Sequence, residues 1–203
     1  MTHDDDEVAG RGLWMHTSLG GRFFPGDPRP EEVFMSDIAN GLALDCRYAG
    51  QGRVDRFYSV AEHSALMADY FLRLQLPAGA FVALLHDASE AYLNDLAHSV
   101  KATVGRAYAE VEERVQDAIW RRYNLQETAE QYCHVVKDCD MRMVPLEKEA
   151  IMRYSQPWAA DYLKPFSGAR IRCLAPPEAK QFFASTYHVI CGHLGLQPEE
   201  IEP

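Results

Sequence analysis

The chain lacks any apolar run approaching the roughly 18 residues that a membrane-spanning helix requires, so it is not expected to cross a bilayer. It also lacks positive charge: 20 Lys and Arg stand against 30 Asp and Glu, a formal net charge of −10. Broad nucleic-acid and anionic-membrane surfaces draw their affinity from many phosphate contacts, and this balance argues against both. A small anionic ligand stays open, because a metal ion or a local Lys/Arg pair can reverse the potential inside one pocket. Cysteines are few. Cys46, Cys133, Cys139, Cys173 and Cys191 are odd in number and lack metal-finger spacing, so reduced core thiols are expected. There is no basic-then-apolar secretory leader; Met1–Glu7 is acidic, and a cytoplasmic protein is expected. Gly50-Gln51-Gly52 is too little to make a Walker phosphate loop. Internal repeats and low-complexity segments are absent, and alternating apolar runs that would mark strands are almost so.

What is present is an ordinary globular composition, 47% hydrophobic and 25% charged over 203 residues. A chain of this length buries enough surface for one core without disulfides or a structural metal. Residues 1–35 read as an N-terminal extension, rich in Gly, Pro and aromatics and shaped as a short hairpin or ordered loop. Residues 36–195 read as one helical domain and 196–203 as a tail. Ser36 is a candidate N-cap for a helix through about Cys46, with Ile38, Leu42 and Leu44 inward. Ser59, with Glu62 three residues on, has the form of a capping box opening a helix to about Leu74. Further helices are expected over Ala78–Tyr92, Thr103–Tyr123, Glu127–Tyr154 and Pro176–Leu194, the fourth interrupted near Pro145 and the last closed by Gly195. Residues 160–174 read as extended. The fold class is all-α, with six or seven helices.

Three pieces carry chemistry: His63 within Ser59–Ser64, His86-Asp87-Ala88-Ser89-Glu90, and Asp140 within Lys137–Arg142. A lone histidine on an apolar face is more often a satisfied core residue than a ligand. Adjacent His86-Asp87 after Val82-Ala83-Leu84-Leu85 is harder to explain that way, because burying an unpaired carboxylate costs several kcal/mol. Asp140 repeats the problem beside Val136, Met143 and Val144. A divalent cation explains two imidazoles and two carboxylates on inward faces together. That mixed N/O set suits one Mn, Fe, Co, Ni or Zn ion per chain and not an all-oxygen calcium site. Glu90, four residues after His86 and three after Asp87, projects over the same patch and is placed to orient or deprotonate a water. Asp95, past the helix end, is a second carboxylate, placed to hand a proton to a leaving oxygen.

With His63, His86-Asp87 and Asp140 in this order, the chain resembles the HD superfamily of metal-dependent phosphohydrolases. His86-Asp87-Ala88-Ser89-Glu90, then Asp95-Leu96 and Lys101, is similar to the bacterial 5′-deoxynucleotidase branch. Arg47-Tyr48 resembles that branch's Arg-aromatic pair, with Tyr48 standing where the branch carries Trp. Gly21–Pro25 and Asp37-Ile38-Ala39 are similar to a phage-associated subgroup that includes a deoxyadenosine-triphosphate phosphohydrolase. The resemblance spans roughly residues 14–150. It implies an HD-domain helical bundle with metal ligands His63, His86, Asp87 and Asp140. It also implies catalytic carboxylates Glu90 and Asp95, with Arg47, Tyr48 and Lys101 as substrate contacts.

The resulting expectation is metal-dependent hydrolysis of a 5′-(deoxy)nucleoside monophosphate to nucleoside and phosphate. A (deoxy)nucleoside triphosphate substrate is the alternative, for which Arg22, Arg53 and Arg56 would have to supply further positive charge. A non-catalytic nucleotide sensor is the alternative of another class. The expected partner is a small nucleotide, not nucleic acid or membrane, and a dimeric or hexameric homo-oligomer is expected. His98 is an extra imidazole nearby, read as a loop residue, while His134, His188 and His193 are read as structural.

Overall fold

A computed structural model describes residues 10–154, 156–165 and 167–202. The acidic opening Met1–Glu7 therefore lies outside the described residues. An antiparallel hairpin pairs β1 (Met15–His16) with β2 (Arg22–Phe23), in the register Met15 to Phe23. Phe23 is buried and stacks on Tyr92 at 3.9 Å, which ties the hairpin to the helices. Eight α-helices follow among the described residues: α1 (Met35–Leu44), α2 (Val60–Arg73), α3 (Pro77–Leu85), α4 (Glu90–Leu93), α5 (His98–Val104), α6 (Arg106–Arg122), α7 (Gln126–Ile151) and α8 (Pro176–Leu194). The fold is all-α with a short N-terminal hairpin.

Helix α3 is the hub. Every residue from Gly79 to Leu85 is buried, between α2, α7 and α8. A helix apolar all round must be surrounded in this way. Gly79 makes the packing possible: a Cβ there would come within 2.8 Å of the rings of Phe71 on α2 and Tyr132 on α7. Helix α2 begins where the sequence says it should. Ser59 is extended (φ −88°, ψ 158°), and its hydroxyl oxygen accepts the Glu62 N–H at 3.1 Å.

Several boundaries differ from the sequence reading, each for a local reason. Ser36 is not an N-cap; α1 starts at Met35 after an extended Phe34, and the buried Ser36 hydroxyl oxygen accepts the Glu202 N–H. Leu44 is exposed rather than inward. Glu62 does not close a capping box. Its fully buried carboxylate accepts the N–H groups of Arg172 and Leu174 at 2.6 and 2.8 Å, pinning the irregular segment before α8. Among its described residues that segment forms no strand.

The helix expected over Ala78–Tyr92 breaks after Leu85 and resumes at Glu90, so the His86–Ser89 stretch is a tight turn. Gly105, at φ 77° and ψ −152°, separates α5 from α6. Pro145, by contrast, does not interrupt α7. Proline removes one backbone donor, yet the helix continues to Ile151. All five cysteines are free, but only Cys139 and Cys191 are buried and Cys133 is exposed. No helix among the described residues is long and apolar enough to cross a membrane.

Candidate metal centre

Four separate elements deliver the site. His63 lies in the first turns of α2, His86 and Asp87 in the turn after α3, Asp140 midway along α7, and Arg47-Tyr48 in a loop after α1. Short pairing between residues 45–47 and 58–60 places that loop beside His63. Val60 N–H donates to the Asp45 carbonyl at 3.1 Å and Arg47 N–H to the Tyr58 carbonyl at 3.0 Å.

The two imidazoles face each other, Nε2 to Nε2, at 3.4 Å. Asp140 Oδ1 lies 3.2 Å from His63 Nε2, and Asp87 Oδ2 lies 3.1 Å from His86 Nε2 and 3.8 Å from His63 Nε2. The nearest ligand atoms of His63, His86 and Asp140 all lie within 4.8 Å of one another, a group able to hold a cation. Asp140 Oδ1 is buried without a hydrogen bond among the described atoms, with the Arg47 guanidinium 3.6 Å away. A buried polar atom without a partner is costly, and a divalent cation between these groups satisfies it. The donor set, two imidazoles and carboxylate oxygen, fits a borderline transition metal.

The opposite ring nitrogens are both engaged. His86 Nδ1 donates to the Ala83 carbonyl at 2.8 Å. His63 Nδ1 lies 2.7 Å from Glu147 Oε1, and Glu147 is fully buried. Glu147 was not singled out in the sequence. The signal for it is its position seven residues after Asp140, two helical turns on and therefore on the same face of α7.

The electrostatics follow from burial and crowding. Burial works against ionised Asp87 and Asp140, but the facing imidazoles and Arg47 outweigh it and hold both below the usual carboxylate range. Burial likewise opposes a charged His86, and the Asp87 carboxylate overcomes it, lifting His86 to about 9. Glu147 is held at about 2, its burial outweighed by Arg47 and His63. Glu90 goes the other way. Burial and the charges of Asp87 and Asp95 push it up to about 9, against the pull of Lys101.

A cleft of about 490 Å³ opens beside this centre and is lined by every expected catalytic and substrate residue: Arg47, Tyr48, Glu90, Asp95 and Lys101. His98 lines it too, as the first residue of α5 rather than a loop residue. Trp158, also missed in the sequence, faces Tyr48 across it at 5.6 Å between rings. Arg47 spans the carboxylates, 3.3 Å from Asp87 and 3.2 Å from Glu147. Lys101 is held between Glu90 (3.2 Å) and Glu112 (2.7 Å). Asp95 Oδ2 accepts the Tyr48 N–H at 3.2 Å. Tyr48 and Ala49 both adopt left-handed backbone angles, φ 58° and 50°. Such residues cost about 1–3 kcal/mol each and persist where surroundings over-determine them.

His134, His188 and His193 are exposed and away from the centre. Arg22 lies over the Trp14 ring at 4.5 Å, and Arg53 pairs with Asp55 at 2.9 Å.

No family model matches the chain. It is 35% identical over 186 residues to the uncharacterized protein RCAP_rcc00048 of Rhodobacter capsulatus, covering 87% of this chain and 95% of that protein. The chain belongs to the family of that protein. It is also 33% identical over 112 residues to the uncharacterized protein YfdR of Escherichia coli, covering 55% of this chain and 59% of YfdR.

Proposed function

We propose that this protein is an HD-type, metal-dependent phosphohydrolase that converts a 5′-(deoxy)nucleoside monophosphate to nucleoside and phosphate. The observation that carries the reading is the convergence of His63 Nε2, His86 Nε2 and a buried Asp140 oxygen that makes no hydrogen bond, at the edge of a cleft holding two cations and two further carboxylates. Asp87 completes the ligand set. A divalent transition metal bound there supplies positive charge to a phosphate oxygen and lowers the pKa of a water, toward about 7 in the best cases.

The chain's own residues divide the remaining work. Arg47 presents a planar fork and Lys101 a point charge to the other phosphate oxygens. Glu90, whose Oε2 is buried and unpartnered among the described atoms, orients the attacking water and accepts its proton. Burial, then the charges of Asp87 and Asp95, keep Glu90 protonated, and a metal held by Asp87 would remove part of that like charge. Water oxygen forms the new bond to phosphorus as the bond to the 5′ oxygen breaks. Asp95 serves the leaving oxygen, which takes up a proton and departs as the nucleoside hydroxyl. A nucleotide sensor would need neither Glu90 nor Asp95.

The charge inventory supports a monophosphate. Arg47 and Lys101 are the Arg and Lys side chains lining the cleft among the described residues. Arg22, Arg53 and Arg56, which a triphosphate would call upon, do not line it. Phosphate release from one deoxynucleoside's mono- and triphosphate, at equal concentration and with cobalt or manganese supplied, tests the assignment. Faster release from the monophosphate is expected. Faster attack on the triphosphate, lost in the Arg53→Ala/Arg56→Ala double variant, overturns it.

A further inference from the structure

We infer that Glu147 is the positioning residue that joins the metal centre to the substrate loop, an inference that rests on the metal-site reading above. Its carboxylate has two oxygens and both are committed. Oε1 faces His63 Nδ1 at 2.7 Å and Arg47 Nε at 3.2 Å, and Oε2 accepts the Tyr48 hydroxyl. Glu147 and His63 are fully buried, while Arg47 and Tyr48 reach from them to the half-buried edge of the cleft.

The first consequence concerns His63. An ionised carboxylate only accepts, so Glu147 at 2.7 Å holds a proton on His63 Nδ1 and turns Nε2 toward His86 and Asp140, the side a metal would take. A ring free to choose would place its proton on either nitrogen, and half of those choices would block the metal side. The second consequence concerns Tyr48. Its backbone is left-handed, and two carboxylates grip it from different directions: Asp95 takes the N–H and Glu147 the phenol hydroxyl. The same carboxylate therefore sets the ligating nitrogen of His63 and the pose of the ring that lines the cleft. Tyr48 is the side chain that makes this link possible, because a phenol hydroxyl at the ring's far end reaches Oε2.

Three measurements on the full chain test the assignment. The ring-nitrogen chemical shifts of His63 in 15N-histidine-labelled, chelator-treated protein report the tautomer without any metal. A proton on Nδ1 is expected throughout in the wild type, and its partial loss in Glu147→Gln. Cobalt titration is expected to show a 10- to 100-fold weaker affinity in Glu147→Gln, the range typical of lost partners behind a metal-bound imidazole. Tyr48→Phe keeps the carboxylate on His63, so it is expected to hold cobalt as the wild type does while KM rises several-fold. That variant also carries the test if Glu147→Gln does not fold. A single Nδ1–H tautomer with unchanged cobalt affinity in Glu147→Gln overturns the proposal, as does a Tyr48→Phe protein with wild-type KM. A wild type that binds no cobalt overturns the metal-site reading instead, and the tautomer measurement still decides the role of Glu147.

Discussion

His63 and His86 turn their Nε2 atoms toward each other across 3.4 Å, while each Nδ1 lies beside an acceptor on the far side of its ring. Two imidazoles oriented in this way share one point in space, and Asp140 Oδ1 reaches the same point. Substituting His86→Ala or Asp140→Ala should therefore abolish stoichiometric transition-metal content. Elemental analysis of the purified variants checks this. Full metal content in both places the ion elsewhere.

The placement of His63 on α2 and of Asp140 on α7 was legible because each sits among apolar neighbours at helical spacing. The Ser59 cap, α8 and its Gly195 terminus were legible for similar local reasons. The break at His86–Ser89 was not. His86, Asp87 and Ser89 are weak helix formers, but no Gly or Pro marks a break, and the turn is fixed by a distant side chain; Gln116 accepts the Ser89 N–H and donates to the Leu85 carbonyl. Glu62 illustrates the same limit. Its spacing from Ser59 says capping box, but two backbone N–H groups more than 100 residues away claim its carboxylate. Glu147 was hidden because a glutamate on a long amphipathic helix reads as solvated until the partner helix is in place.

Glu62 supplies a prediction about the fold alone. Glu62→Ala leaves the Arg172 and Leu174 N–H groups without their acceptor. A loss of about 1–3 kcal/mol is expected, because both N–H groups lose a charged acceptor in a part-exposed segment where water replaces some of the bonding. Chemical denaturation measures it, and a change below about 0.5 kcal/mol would show that the segment before α8 does not depend on this carboxylate.

Glu90→Ala should keep the metal and lose most turnover, about 10²–10⁴-fold, the usual contribution of a positioned acid–base group. The comparison needs metal content and kcat from the same preparation. Turnover within a few-fold of wild type removes Glu90 from the reaction.

Glu90 also makes the stability of the chelator-treated protein depend on pH. Its pKa is raised on folding, from 4.5 to about 9. The stability it contributes is therefore fully present below pH 4.5 and is lost as pH rises toward 9. Glu90→Gln removes that loss. At pH 7 the variant is expected to be more stable than the wild type by on the order of 1 kcal/mol. Thermal melts between pH 5 and 9 report the difference, and parallel pH profiles for the two proteins would contradict the assignment.

The most direct test is phosphate release from a deoxynucleoside monophosphate by chelator-stripped protein, with cobalt or manganese titrated back, for wild type and Asp140→Ala. The predicted result is release that rises with metal to saturation near one ion per chain in the wild type and stays at background in Asp140→Ala. Release that ignores both the chelator and the substitution would contradict it.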